Sequence, residues 1–149
     1  MYFNVPIEHI KAGIENYTPQ NNRSQIIKKD GYQIILDAYN ANPTSMQAAL
    51  ENFLAMDEGN KKTVFLGDMF ELGDTAGIEH QGIADLTSRM NFDEVFLIGK
   101  NFNTCQSDLK KFESFESLSA HLKNTKLPKG SILIKGSRGM ALERLLDFL

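Results

Sequence analysis

Four short, continuously apolar runs constrain this chain most: Tyr32 to Leu36, "TVFLG" from Thr63 to Gly67, "EVFLIG" from Glu94 to Gly99, and "SILIKG" from Ser131 to Gly136. They are rich in Ile, Val and Phe and do not alternate with polar residues. Strands covered on both faces, as in a parallel sheet, read this way. Helical patterns lie between them. Behind Asn42 as N-cap and Pro43 at the first helical position, Met46, Ala49, Leu50, Phe53 and Leu54 form one apolar stripe, predicting a helix that ends near Gly59. A second helix is expected from about Thr75 to Met90, with Ile83, Leu86 and Met90 inward and Gly77 and Gly82 weakening it. A third is expected over Ser117 to Lys123, ahead of a turn at Pro128 to Gly130. A last one starts near Ser137 and carries Met140, Ala141, Leu142, Leu145, Leu146 and Leu149. Upstream, "SQIIKKDGYQIIL" reads as a hairpin turning at "KDG", with Ser24 to Lys28 as an antiparallel edge strand. The order predicts an open, mostly parallel α/β sheet with an antiparallel edge hairpin.

A chain of 149 residues suits one such domain. Residues 22–149 carry the pattern, whereas residues 1–21, with "VPIEHIKAGIENYTPQNN", read as a short helix and a Pro- and Asn-rich linker, the tail of something upstream. The formal charge is −3 and the basic residues are scattered, which argues against nucleic acid as a partner. No apolar run approaches the roughly 18 to 20 residues of a membrane span. The single Cys105 excludes an internal disulfide, and no Cys/His cluster has zinc spacing. The N-terminus does not read as a signal peptide, so a cytoplasmic location is the expectation.

Open α/β sheets bind ligands outside the carboxyl ends of their strands. Four strand exits here carry distinctive residues: "DAYNANP", "GDMFELGD", "GKNF" and "KGSRG". Asp37, directly after Leu36, can accept ribose hydroxyls, pair with an arginine, or be a loop acid. Asn40 and Asn42 offer donors and acceptors, with helix capping the simplest duty for Asn42. Tyr39 can stack on a flat ligand or pack. Asp68 and Glu71 share a glycine-flanked loop that could bind a metal or an ammonium group, or be a solvated turn. His80 fits a partly buried structural histidine. In "KGSRG", Lys135, Ser137 and Arg138 precede a predicted helix, a candidate carboxylate or phosphate clamp or simply a tight turn. No G-x-x-x-x-G-K-[ST] phosphate loop occurs in the sequence.

Taken together, "NNRSQ", "LDAYNANPTSMQAAL", "VFLGDMFELGDTAGIEHQGIA" and "ILIKGSRGMALERLL" resemble the C-terminal domain of Mur ligases, over about Val5 to Leu149. The resemblance implies a Rossmann-like domain, with helices on both faces of its sheet, that closes over a central ATP-binding domain in a cytoplasmic enzyme of peptidoglycan biosynthesis. Within the family it points to members that add D-alanyl-D-alanine to UDP-N-acetylmuramoyl-tripeptide, using ATP and Mg2+ held mainly by the central domain. It implies nucleotide contacts from Arg23, Asp37 and Asn40, and a dipeptide pocket lined by Asn42, Asp68, Glu71, Lys135, Ser137 and Arg138. It also implies that no catalytic residue lies in this stretch alone. Some relatives carry two acids where this chain has Leu36-Asp37. A free-standing small-ligand module, or another amide ligase such as a folylpolyglutamate synthase, is the alternative.

Overall fold

A computed structural model describes residues 5–16, 21–56 and 60–149. The expected linker lies partly outside these residues, as does Gly59. Helix α1 spans Ile7–Glu15 and buries no side chain. The hairpin follows, β1 (Gln25–Lys29) antiparallel to β2 (Tyr32–Asp37), with Asp30 and Gly31 both at positive φ in its turn. Then come α2 (Pro43–Ala55), β3 (Lys61–Gly67), α3 (Ala76–Arg89), β4 (Glu94–Ile98), α4 (Lys100–Thr104), β5 (Lys110–Phe112), α5 (Phe115–Leu122) and β6 (Gly130–Lys135).

The six strands lie in the order β1-β2-β6-β3-β4-β5. All pairs except β1–β2 are parallel. The last strand of the chain is thus inserted between β2 and β3, and it sets Asp37 opposite Lys135 in register.

Because successive strand residues face opposite sides, the four apolar runs feed two cores. Ile34, Leu36, Phe65, Phe96, Ile132 and Ile134 pack with α5 and the C-terminal segment. Val64, Leu66, Val95, Leu97 and Leu133 pack with α2, α3 and α4. The parallel-sheet reading therefore holds, with helices on both faces.

Three differences from expectation have physical causes. The predicted C-terminal α-helix is two 3-10 segments, Arg138–Met140 and Leu142–Phe148, divided at Ala141, which adopts φ 47°. A 3-10 helix repeats every three residues, so Leu142, Leu145 and Phe148 share one side. Leu142 and Leu145 are buried there, and the Phe148 ring lies 6.0 Å from that of Phe115. "KGSRG" consequently does not stand at the N-terminus of an α-helix. Second, β5 escaped the sequence reading because three residues containing Lys110 and Lys111 have no apolar run; they form a short edge on β4. Third, α4 is one short turn directly after Gly99, where "GKNF" showed only a polar strand exit.

Asn42 caps α2 as expected: its side chain accepts from Ser45 N at 2.8 Å, while Ser45 Oγ accepts from Asn42 N at 3.1 Å. Replacing Asn42 by Ala should cost about 1 kcal/mol of stability, checked by urea denaturation.

At the other end of the sheet, Asp93 accepts from Lys61 Nζ at 2.7 Å and from Lys62 N at 2.8 Å. The Lys61 hydrogen bond, then the Lys62 amide, holds its carboxyl below the usual aspartate range. A carboxyl lowered in the folded state stabilises above its unfolded pKa of about 3.9, and that contribution is lost as pH falls through the folded value. Asp93→Asn should therefore be less stable than the parent at neutral pH, with the difference shrinking on acidification, as denaturation curves at several pH values will report.

Candidate functional site

The polar strand exits open along one edge of the sheet and fall into two groups. The first surrounds the ends of β2 and β6. Lys135 is 1 % exposed, yet its ammonium donates to Asp37 Oδ2 at 2.6 Å and to the carbonyl of Asn40 at 3.2 Å. Asp37 Oδ1 accepts from Ser24 N at 3.2 Å, which ties the chain entering the hairpin to the strand exit. The Asp37 side chain keeps 22 % of its surface open. Asn40 turns its own Oδ1 back to Ala41 N at 2.9 Å.

Two guanidinium groups meet over one aromatic ring beside this pair. Arg23 lies 4.0 Å and Arg138 5.2 Å from the centre of the Tyr39 ring, within cation–π range. Hydrogen bonding and charge from Arg23, then the charge of Arg138, hold the Tyr39 phenol below its usual value. Arg23, Asp37, Tyr39, Asn40, Asn42, Ser45 and Lys135 line a cleft of about 350 Å³. With three cations against a single carboxylate, this corner attracts anions.

The second group is a stitched pair of loops. Ser137 N donates to the carbonyl of Asp68 at 3.2 Å, and Phe70 N donates to Ser137 Oγ at 2.8 Å. A side chain on Gly139 would lie 2.6 Å from the Phe70 ring, and one on Gly136 would lie 3.0 Å from the Gly67 Cα. The motifs "GDMFELG" and "KGSRG", about 70 residues apart in sequence, thus form one surface, closely apposed at its glycines.

The carboxylate of Asp68 is 3 % exposed and already occupied. It accepts from Asn101 N at 2.9 Å, Asn101 Nδ2 at 3.2 Å and Phe102 N at 3.0 Å, capping α4. Gly99 makes room for it: φ is +125° there, and a Cβ would stand 2.2 Å from Asp68 Cγ. Glu71 is exposed, at φ 65°. Among the described residues no group of three or more His, Cys, Asp or Glu side chains could hold a metal ion.

The grouping of expected site residues is therefore redrawn. Arg23, Asp37 and Asn40 do come together. Asn42 and Lys135, which the resemblance assigned to the dipeptide pocket, line the same cleft as those three. Ser137 and Arg138 stay with the stitched loops, Arg138 leaning toward Tyr39. Sequence reasoning undervalued Tyr39; the signal available was an aromatic residue beside a strand exit, with arginines at two other exits.

An open, mostly parallel sheet with a central inserted strand defines a Rossmann-like domain, and its cationic cleft lies at the carboxyl edge, where such sheets bind ligands. The chain belongs to the Mur ligase family: the family described as Mur ligase, glutamate ligase domain, matches residues 22–138. It is 35% identical over 147 residues to the UDP-N-acetylmuramoyl-tripeptide–D-alanyl-D-alanine ligase of Borreliella burgdorferi, an alignment covering 94% of this chain and 32% of that protein. Among solved structures, the UDP-N-acetylmuramoylalanyl-D-glutamyl-2,6-diaminopimelate–D-alanyl-D-alanyl ligase of Acinetobacter baumannii superposes with a TM-score of 0.82 at 29% identity, covering 96% of this chain and 32% of that one. The fold also matches a MurF ligase of Thermotoga maritima solved in complex with ADP, with a TM-score of 0.72 at 23% identity, over 89% of this chain and 31% of that one. The chain spans about a third of the length of these relatives.

Removing one member of a buried ion pair strands the other. Lys135→Met should cost about 3 kcal/mol, the low end of the range for buried pairs because Asp37 is partly open. Adding Asp37→Asn should recover part of the loss, as equilibrium denaturation of the two variants will show.

Proposed function

We propose that this chain is the substrate-closing domain of an ATP-dependent ligase that joins D-alanyl-D-alanine to UDP-N-acetylmuramoyl-tripeptide in cytoplasmic peptidoglycan synthesis. Residues 1–21 are then the end of the preceding domain, and residues 22–149 are the closing domain. The observation that carries this reading is the convergence of Arg23 and Arg138 on Tyr39 beside the Asp37–Lys135 pair, in a chain without a phosphate loop.

On this reading, ATP phosphorylates the terminal carboxylate of the tripeptide, releasing ADP. The amino group of the dipeptide attacks the acyl phosphate, expelling phosphate and losing a proton as the amide forms. The closing domain supplies charge and position. Lys135 neutralises one side of Asp37 and fixes its carboxylate, leaving its open surface for ribose hydroxyls. Arg23 and Arg138, held against the Tyr39 face, present guanidinium donors toward phosphate or carboxylate oxygens. Asn40 stands beside the adenosine.

The dipeptide is assigned to the stitched loops, where Ser137, Arg138, Glu71 and the backbone of residues 68–72 lie. Asp68 serves it through backbone and loop shape, since its carboxylate is taken up by α4. Asn42 serves through the α2 cap that borders the cleft. The residues present do not fit Mg2+: among the described residues Asp37 is the one carboxylate lining the cleft, and it is shared between Lys135 and Ser24. The metal therefore belongs to the ATP-binding domain in this scheme.

Titrating ATP and D-alanyl-D-alanine separately onto the chain, by amide NMR shifts, tests the division. ATP should move Asp37, Tyr39 and Asn40, and the dipeptide residues 68–72 and 137–139; a reversed or absent response from both would overturn it. In the full-length ligase, Arg138→Ala should lower kcat/KM for the dipeptide by the equivalent of a lost charge-assisted bond, about 1.5 to 3 kcal/mol.

A further inference from the structure

His80 is fully buried on the inner side of α3, beneath the stitched loops and outside the mechanism above. Its two ring nitrogens face partners of opposite kind. Nδ1 lies 2.6 Å from the carbonyl oxygen of Ala76, which can only accept. Nε2 lies 2.9 Å from Met69 N, which can only donate. These partners dictate a neutral imidazole with its proton on Nδ1 and its lone pair on Nε2. The ring is wedged edge-on against Phe102, with centroids 4.7 Å apart, so it cannot turn over without repacking α4.

We propose that His80 is the positioning residue of the dipeptide loop: as a neutral Nδ1–H tautomer it latches the Met69 amide and so fixes the 68–72 loop against Ser137 and Arg138. The proposal rests on the reading of those loops as the dipeptide site. The latch works through a short chain of bonds. His80 orients the Met69 amide; the next amide, Phe70 N, then points at Ser137 Oγ; and Asp68, one residue earlier, receives Ser137 N on its carbonyl. Three consecutive residues are thus set by one ring and one serine, and Arg138 follows that serine directly.

The geometry around the ring favours one tautomer. Asp68 Oδ1 lies 3.5 Å from Nε2 but is engaged by the Phe102 amide. Glu51 of α2, Asp74 before α3 and Lys100 of α4, on elements packed against α3, are exposed to solvent. A second proton on the ring would put N–H where the lone pair now accepts, release Met69 and turn the new donor toward Asp68. The latch is therefore open in the imidazolium form.

Long-range proton–nitrogen correlation spectra of the chain with labelled histidine test the latch directly. At pH 7.5, His80 should show a protonated Nδ1 and an unprotonated Nε2; the opposite tautomer, or a doubly protonated ring, would overturn the proposal even if no variant folded. His80→Leu should weaken D-alanyl-D-alanine binding at least tenfold while leaving ATP-induced shifts at Tyr39 and Asn40 in place. His80→Gln, which can offer an acceptor near Nε2, should restore most of the binding. Equal weakening of both ligands, or no rescue by Gln, would reduce His80 to a core residue. If the parent chain bound no dipeptide, the functional reading of the loops would fail, while the tautomer would still decide the latch.

Discussion

The ion pair between Lys135 and Asp37 is the interaction on which the candidate site depends. An ammonium group at 1 % exposure is costly to desolvate, and it is tolerable here because a carboxylate at 2.6 Å and a carbonyl at 3.2 Å meet it. That arrangement consumes part of the charge of Asp37 and fixes its orientation, so the carboxylate presents one defined edge to the cleft. The two arginines then dominate the remaining field. Without Lys135, Asp37 would face two guanidinium groups as a free acid, and a phosphate would meet a competing anion at the same corner.

The sheet, its direction and its antiparallel edge were legible because they rest on patterns that tertiary packing reinforces. Val64, Val95 and Leu133 on one face, and Phe65, Phe96 and Ile134 on the other, make the middle of each central strand apolar on both sides. The cap at Asn42 was legible for a local reason, since Asn-Pro followed by Ser at the third helical position supplies its own hydrogen bonds. The C-terminal segment was not. Leucines at residues 142, 145, 146 and 149 fit both a 3.6 and a 3.0 period over so short a stretch, and the choice was made by Ala141 and the docking of Leu142 against Gly67 and Gly136.

The residues of the candidate site were legible as polar strand exits, but their geometry was not. Residue type and strand order brought Asp37, Asn40 and Arg138 to one edge, and the chain entering the hairpin brings Arg23 beside them. The identity of the partner each would choose depends on distances that spacing does not encode. Lys135 reads as a cation beside Arg138, yet in a strand neighbouring residues alternate faces and the register places it against Asp37. Asp68 reads as a free acid in a loop, yet Gly99 leaves a hollow in which its carboxylate caps the next helix. His80 reads as an ordinary buried ring, and only the opposing polarities of Ala76 and Met69 give it a direction.

The position of β6 has a bearing on how the chain reaches this state. Strands β2 and β3 follow each other in the chain yet are not neighbours in the sheet; each waits for β6, which comes after β4 and β5. During synthesis from the N-terminal end, two strand edges rich in Ile, Val and Phe stay unpaired until β6 has left the ribosome. Open edges of that kind pair readily with other chains. The same insertion that assembles the site thus makes folding a late and long-range event, and it places the burden of preventing misassembly on the interval before β6 emerges.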